Sequence, residues 1–94
     1  MRLAWTRRAD RDRKRIVAYV AERNPAAARR IVAAIDAQLE AVLDFPNLGT
    51  QGRVPGTREF VALRLPYIVV YTVKEDIVYV VNVWDGRRDL LRKP

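Results

Sequence analysis

The hydrophobic period of this chain changes once, from helical to alternating, and that switch limits it to a helical hairpin followed by strands. From Arg7 to Arg23 the apolar residues Ala9, Ile16, Val17 and Val20 recur at spacings of three, four and seven, placing them on one helix face. Arg13 interrupts that stripe where an aliphatic residue is expected. Asn24-Pro25 then reads as a cap followed by proline at the first helical position. A second helix is expected from Pro25 to about Asp44, with its stripe at Ala28, Ile31, Val32, Ile35, Leu39, Val42 and Leu43 and its stop at Pro46. After a loop over Phe45–Gly56, rich in proline and glycine, the pattern is β: Arg58–Leu65 alternates imperfectly, and Tyr67–Lys74 and Ile77–Trp84 are rich in Val, Ile and Tyr.

Two short features complete the order. Arg2–Trp5 is a strand candidate with Thr6 as the N-cap of the first helix, and Glu75-Asp76 leaves two residues to reverse the chain, which forces the last two strands antiparallel. That turn lacks the glycine such connections prefer. The order β-α-α-β-β-β predicts an α+β domain of two layers, a helical hairpin packed on one face of a small antiparallel sheet. Its 94 residues are read as one domain, 1–94, with a basic C-terminal tail over 85–94.

The chain contains no cysteine and no histidine, which removes disulfides, thiolate nucleophiles, Cys/His zinc sites and imidazole bases. Neither a metal nor a cofactor is expected. No apolar run approaches the ~20 residues needed to span a bilayer, and the N-terminus lacks the apolar core of a secretory signal. The expectation is a cytoplasmic protein with no membrane partner. The net charge is +7, and residues 1–30, with ten basic and three acidic groups, hold a net +7 of their own. Residues 31–76 are mildly acidic, and the last eighteen are basic again. Such a field suits nucleic acid, an acidic protein or an anionic surface, or simply a solvated arginine-rich face.

The ordered set of residue clusters resembles the RelE/ParE toxin superfamily of bacterial toxin–antitoxin systems. Trp5-Thr6 with Ala9, Asp12, Ile16 and Tyr19 is similar to the family's first strand and helix, and Asn24-Pro25-Ala26-Ala27-Ala28 to the start of its second helix. Phe45-Pro46-Asn47-Leu48-Gly49 and Gly56-Thr57-Arg58-Glu59 resemble its central loop. Pro66-Tyr67-Ile68-Val69-Val70-Tyr71 resembles the middle strand, and Val80-Val81-Asn82-Val83 with Gly86-Arg87-Arg88 the last strand and exit. The resemblance covers nearly the whole chain and favours the ParE-like, or plasmid-stabilisation, branch.

What it implies divides in two. RelE-like members cut messenger RNA on the ribosome, using Lys and Arg to stabilise phosphate charge and a tyrosine or acid to move protons. ParE-like members poison DNA gyrase by protein contact, without hydrolysis of their own. Here Ile68 stands where RelE-like middle strands carry arginine, Asn82 where arginine is common in relatives, and Asp85 where many have histidine. These departures favour a gyrase inhibitor that is not an enzyme, with a ribosome-dependent mRNA endoribonuclease, or an inactive binding-only relative, as alternatives. The resemblance also implies a cognate antitoxin, acidic and partly disordered, in a hetero-oligomer with this chain.

No catalytic residue is assigned. The candidates for target or antitoxin contact are Arg13, Arg58, Arg64, Trp84, Asp85, Arg87 and Arg88. Each also has a packing explanation. Arg13 can lay its stem over the core, Arg58 and Glu59 can pair with each other, and Trp84 can close the end of the sheet. Tyr67, Tyr71 and Tyr79 are expected in or beside the core with their hydroxyls at its edge.

Overall fold

The computed structural model describes residues 1–62 and 67–86 of the chain. The elements are β1 (Arg2–Trp5), α1 (Arg7–Arg23), α2 (Pro25–Asp44), β2 (Thr50–Gln51), β3 (Arg58–Val61), β4 (Tyr67–Lys74) and β5 (Ile77–Asp85). Both helices begin and end where the sequence signals place them. The Thr6 hydroxyl accepts from the Ala9 N–H at 3.1 Å, and the Asn24 side chain accepts from Ala27 at 3.0 Å with Pro25 in the first turn. The helices pack on one face of a five-stranded sheet of order β1-β5-β4-β3-β2.

The two-layer architecture is as expected, but the sheet is mixed rather than wholly antiparallel, because β1 runs parallel to β5. The reason lies just past the end of β1. Its register stops at Trp5 opposite Val80, and the chain then continues up the bare edge of β5. The Thr6 N–H donates to the Val80 carbonyl and the Thr6 hydroxyl to the Val81 carbonyl, at 3.0 and 2.9 Å. Six residues later the Asp12 carboxylate accepts from the Val83 N–H at 3.0 Å. Strand and helix start thus climb β5 in one direction, and the helix satisfies edge groups that β1 leaves unpaired.

A second difference is a short strand, β2, inside the Phe45–Gly56 segment, pairing Thr50 with Glu59 and Gln51 with Arg58. β3 occupies the first part of the expected Arg58–Leu65 strand, and Ala62 donates to the Tyr67 carbonyl at 2.9 Å where β4 begins. At the β4–β5 turn Glu75 (φ 50°) and Asp76 (φ 68°) are both left-handed. Two consecutive left-handed residues are the mark of a type I′ turn, here made without glycine.

A bulge on β5 decides which residues meet the helices. Tyr71 pairs with Val80 but Val70 pairs with Asn82, so Val81 is the extra residue. Simple alternation from Val78 and Val80 would turn Asn82 toward the core. The bulge sends Val83 there instead, beside Val69, Tyr67, Ile35 and Leu39, and moves Asn82 to the opposite face. Tyr71, Val78 and Val42 form a second buried cluster at the other end of the sheet.

Candidate functional site

Two of the arginines singled out by the sequence, Arg13 and Arg58, are tied within the fold. Arg13 is half-buried, its guanidinium 4.6 Å from the Trp5 ring centre and 2.9 Å from an Asp10 oxygen, so its stem and charge both close the α1–β1 corner. Arg58 lies on the helix side of the sheet by register and donates to the Gly49 carbonyl at 2.7 Å, with a longer contact to Asn47. It holds the central loop alongside Tyr71, whose hydroxyl donates to the Pro46 carbonyl at 2.8 Å and accepts from the Gly49 N–H at 2.9 Å. Gly49 is required there: a Cβ would lie 2.8 Å from the Glu59 carbonyl oxygen and 2.9 Å from the Tyr71 ring. Tyr67 and Tyr71 are buried and Tyr79 half-buried, as their strand positions suggested.

The face of the sheet away from the helices carries a different set. By register Glu59, Val70 and Asn82 form one row across three strands, and Val61, Ile68 and Trp84 the next. Over these rows folds the loop after β2, tied by the Thr72 hydroxyl donating to the Gly56 carbonyl at 2.8 Å. Its Arg53 guanidinium lies 4.7 Å from the Trp84 ring centre, with Nε 3.8 Å from the Glu59 carboxylate, and the Arg53 N–H donates to that carboxylate at 3.1 Å. Glu59 therefore pairs with Arg53, not with its neighbour Arg58. A cleft of about 370 Å³ opens beside this cluster, lined by Leu48, Thr50, Glu59, Val61 and Ile68 among others. Asn82 is 6% exposed, and its buried Nδ2 has no hydrogen-bond partner among the described residues. A buried donor left unpaired is costly, so this position is not explained by packing.

Trp84 and Asp85 are consecutive on β5, and their register places Trp84 on this open face and Asp85 across from Tyr67 on the other. Arg64, Arg87 and Arg88 lie outside the described residues. Arg13, Arg58 and Trp84 do not converge on one site. The residues the sequence reading missed are Arg53, which sat in a loop with no pattern to mark it, and the role of Asn82, which only the bulge reveals.

A third surface lies on the outer side of the helical hairpin. Between α1 and α2 runs an apolar groove of about 530 Å³, lined by Val17, Ala21, Ala28, Val32 and Ala33 and edged by Arg29 and Asp36. A smaller hollow of about 230 Å³ shares Val17 and Val32 with it and adds Arg13 and Lys14. Among the described residues no cluster of His, Cys, Asp and Glu could hold a metal ion, and no helix is long and apolar enough to cross a membrane.

Comparison with known proteins gives consistent results. Residues 3–90 match the family described as ParE toxin of type II toxin-antitoxin system, parDE. "Putative toxin Y4kP" of Sinorhizobium fredii (strain NBRC 101917 / NGR234) is 40% identical over 76 residues, covering 81% of this chain and 79% of that protein. Toxin RelE1 of Caulobacter vibrioides (strain ATCC 19089 / CIP 103742 / CB 15) is 31% identical over 84 residues, covering 84% and 86%. Among solved structures, the chromosomal ParDE toxin–antitoxin system from P. aeruginosa superposes with a TM-score of 0.77 at 27% identity, covering 88% of this chain and 92% of that one. The YoeB dimer from Staphylococcus aureus has a TM-score of 0.63 over 88% and 93% of the two chains, and at 14% identity it speaks for the fold alone.

Proposed function

The chain belongs to the ParE toxin family of type II toxin–antitoxin systems, and from that premise we propose that it arrests growth by binding DNA gyrase through the open face of its sheet. An antitoxin partner follows from the family and from the likeness to the ParDE system. The observation that carries the gyrase reading is the composition of that face. Among the described residues, its exposed side chains include Val61 and Leu48 beside the cleft, over a buried layer of Ile68 and Val70, and the charge of Arg53 is matched by Glu59. Cleavage of RNA needs cations free to meet a phosphate as charge develops. A face whose exposed residues include Val61 and Leu48 suits a protein partner better.

The antitoxin is assigned to the hairpin groove. Val17, Ala21, Val32 and Ala33 offer an amphipathic helix an apolar floor, and Arg29 at the margin suits an acidic residue on its flank. The likeness to Toxin RelE1 supports a second reading, cleavage of messenger RNA on the ribosome, with Arg64, Arg87 and Arg88 as its cations.

The two readings separate in one experiment: induced expression in a bacterium with mapping of transcript ends, alongside a supercoiling assay with purified gyrase. Filamentation, intact transcripts and lost supercoiling support gyrase poisoning. Val61→Glu, which places a charge on an exposed position of the open face, then weakens inhibition at least tenfold without changing the circular dichroism spectrum. Rapid translation arrest with cleavage at codon intervals, and normal supercoiling, establishes the ribonuclease instead.

A further inference from the structure

From the exposed side of α1 we infer a second binding surface, for the backbone of duplex DNA, formed by Arg7, Arg8, Arg11 and Arg15. All four side chains are exposed. Arg15 lies 3.3 Å from Asp12, an acid whose other oxygen is already engaged by the Val83 N–H. Arg7, Arg8 and Arg11 have no acidic partner among the described residues, whereas Arg13 and Lys14 share Asp10. The cluster also sits at the wrong end of its helix for stability. Arg7 and Arg8 fall in the first turn after the Thr6 cap, where the helix dipole disfavours cations. Solubility alone would be served by charges elsewhere, so their placement points to an anionic ligand.

The surroundings of the cluster select among anions. An acidic protein needs an apolar centre to its interface, and the exposed side of α1 between Arg7 and Arg15 offers none. A lipid surface needs aromatic or leucine side chains to insert, which are equally absent there. Single-stranded RNA or DNA is held by stacking on aromatic rings. The nearest exposed ring, Tyr19, is covered by the Arg23 guanidinium at 3.8 Å from its centre. Among duplexes, the deep and narrow major groove of A-form RNA excludes side chains, while that of B-form DNA admits a helix. Arg7, Arg11 and Arg15 recur every fourth residue and span about 12 Å of helix axis, comparable to the ~12 Å width of that groove. Arginine forks match phosphate oxygens, so the contacts are assigned to the backbone.

The inference stands apart from the gyrase reading, since it is tested without gyrase. Fluorescence anisotropy of a labelled 20-base-pair duplex is titrated with the full chain between 50 and 200 mM NaCl. Wild type binds, with log K falling against log salt at a slope of about −3 for three to four neutralised phosphates. Arg7→Glu/Arg8→Glu/Arg11→Glu lowers affinity more than tenfold and flattens the slope by two or more. Arg30→Glu/Lys74→Glu, exposed cations on α2 and β4, stays within about threefold of wild type, because the loss is local and not a matter of net charge. Thermal melts confirm that both variants fold. Absence of duplex binding at 50 mM NaCl, equal losses in the two variants, or tighter binding to single-stranded RNA or to a poly-glutamate peptide than to the duplex would each overturn the inference.

Discussion

The exposed side of α1 and the loop between α2 and β3 use arginine in opposite ways. Around the loop, Arg58 at the start of β3 is bound to the Gly49 carbonyl and Arg53 of the loop lies between Glu59 and Trp84. On α1, Arg7, Arg8 and Arg11 are exposed, with no acidic partner among the described residues. A guanidinium that caps carbonyls or covers an indole stabilises the fold and is spent locally. One left free in the first turn of a helix works against the fold and stays available to a ligand. Arginine count therefore does not locate a binding surface; whether the surrounding fold has already used the charge does.

The largest effect expected on the tied side is at Tyr71, on which the loop converges. Tyr71→Phe removes a hydroxyl that serves both the Gly49 N–H and the Pro46 carbonyl, leaving a buried donor unpaired. A loss of about 1–3 kcal/mol is expected in urea denaturation. A change below a few tenths would mean that water replaces the hydroxyl and the loop is not anchored there. Arg58→Ala is expected to cost less, about 1 kcal/mol, since its hydrogen bond to Gly49 is only partly buried. If Arg58→Ala left stability unchanged yet abolished growth arrest, Arg58 would belong with the free arginines and the contrast would fail.

Much of this was legible beforehand because it depends on local signals. The helix limits follow from Thr6, Asn24-Pro25 and Pro46, and the hairpin from two residues between β-rich runs, all of which act within a few positions. The parallel docking of β1 was not legible, because it depends on Thr6 and Asp12 meeting the edge of β5 more than seventy residues away. Nor was the bulge at Val81. Alternation places Asn82 with Val78 and Val80, and only pairing with β4 shows the frame shift that turns it to the open face. Charge, which marked most of the candidate contact residues, does not show where a guanidinium is tied. Arg13 and Arg58 are spent on Trp5, Asp10 and Gly49, and Arg53, which organises the open face, had no pattern to announce it.

A reversal of sign sharpens the comparison further. Arg8→Glu removes a cation from the first turn of α1 and supplies the anion that the helix dipole favours, so it should raise stability by about 0.3–1 kcal/mol. In the duplex titration the same variant should bind more weakly. Stabilisation together with weaker binding is the outcome a purely structural role for Arg8 does not produce. A destabilised Arg8→Glu would show that the side chain makes a contact the fold depends on, and would move it to the tied group.

The smallest effect concerns Asp10, the acid that separates the two kinds of arginine on α1. Lys14 and Arg13 donate to its carboxylate and hold its pKa below the ordinary 3.8, against a small opposing effect of burial. Because the folded value is the lower one, the native state favours the ionised form. The stabilisation is complete above the unfolded value and is lost as the pH falls through the folded one. The pair is exposed enough for solvent and salt to screen it, so only its pH dependence is diagnostic. Wild type and Asp10→Asn should therefore differ in urea midpoint at pH 6, the gap closing by about pH 2 and narrowing in high salt. A gap that persists unchanged at pH 2 would mean that Asp10 acts through packing at the Arg13–Trp5 corner. The acid would then not be what keeps Arg13 and Lys14 from joining the free cations beside them.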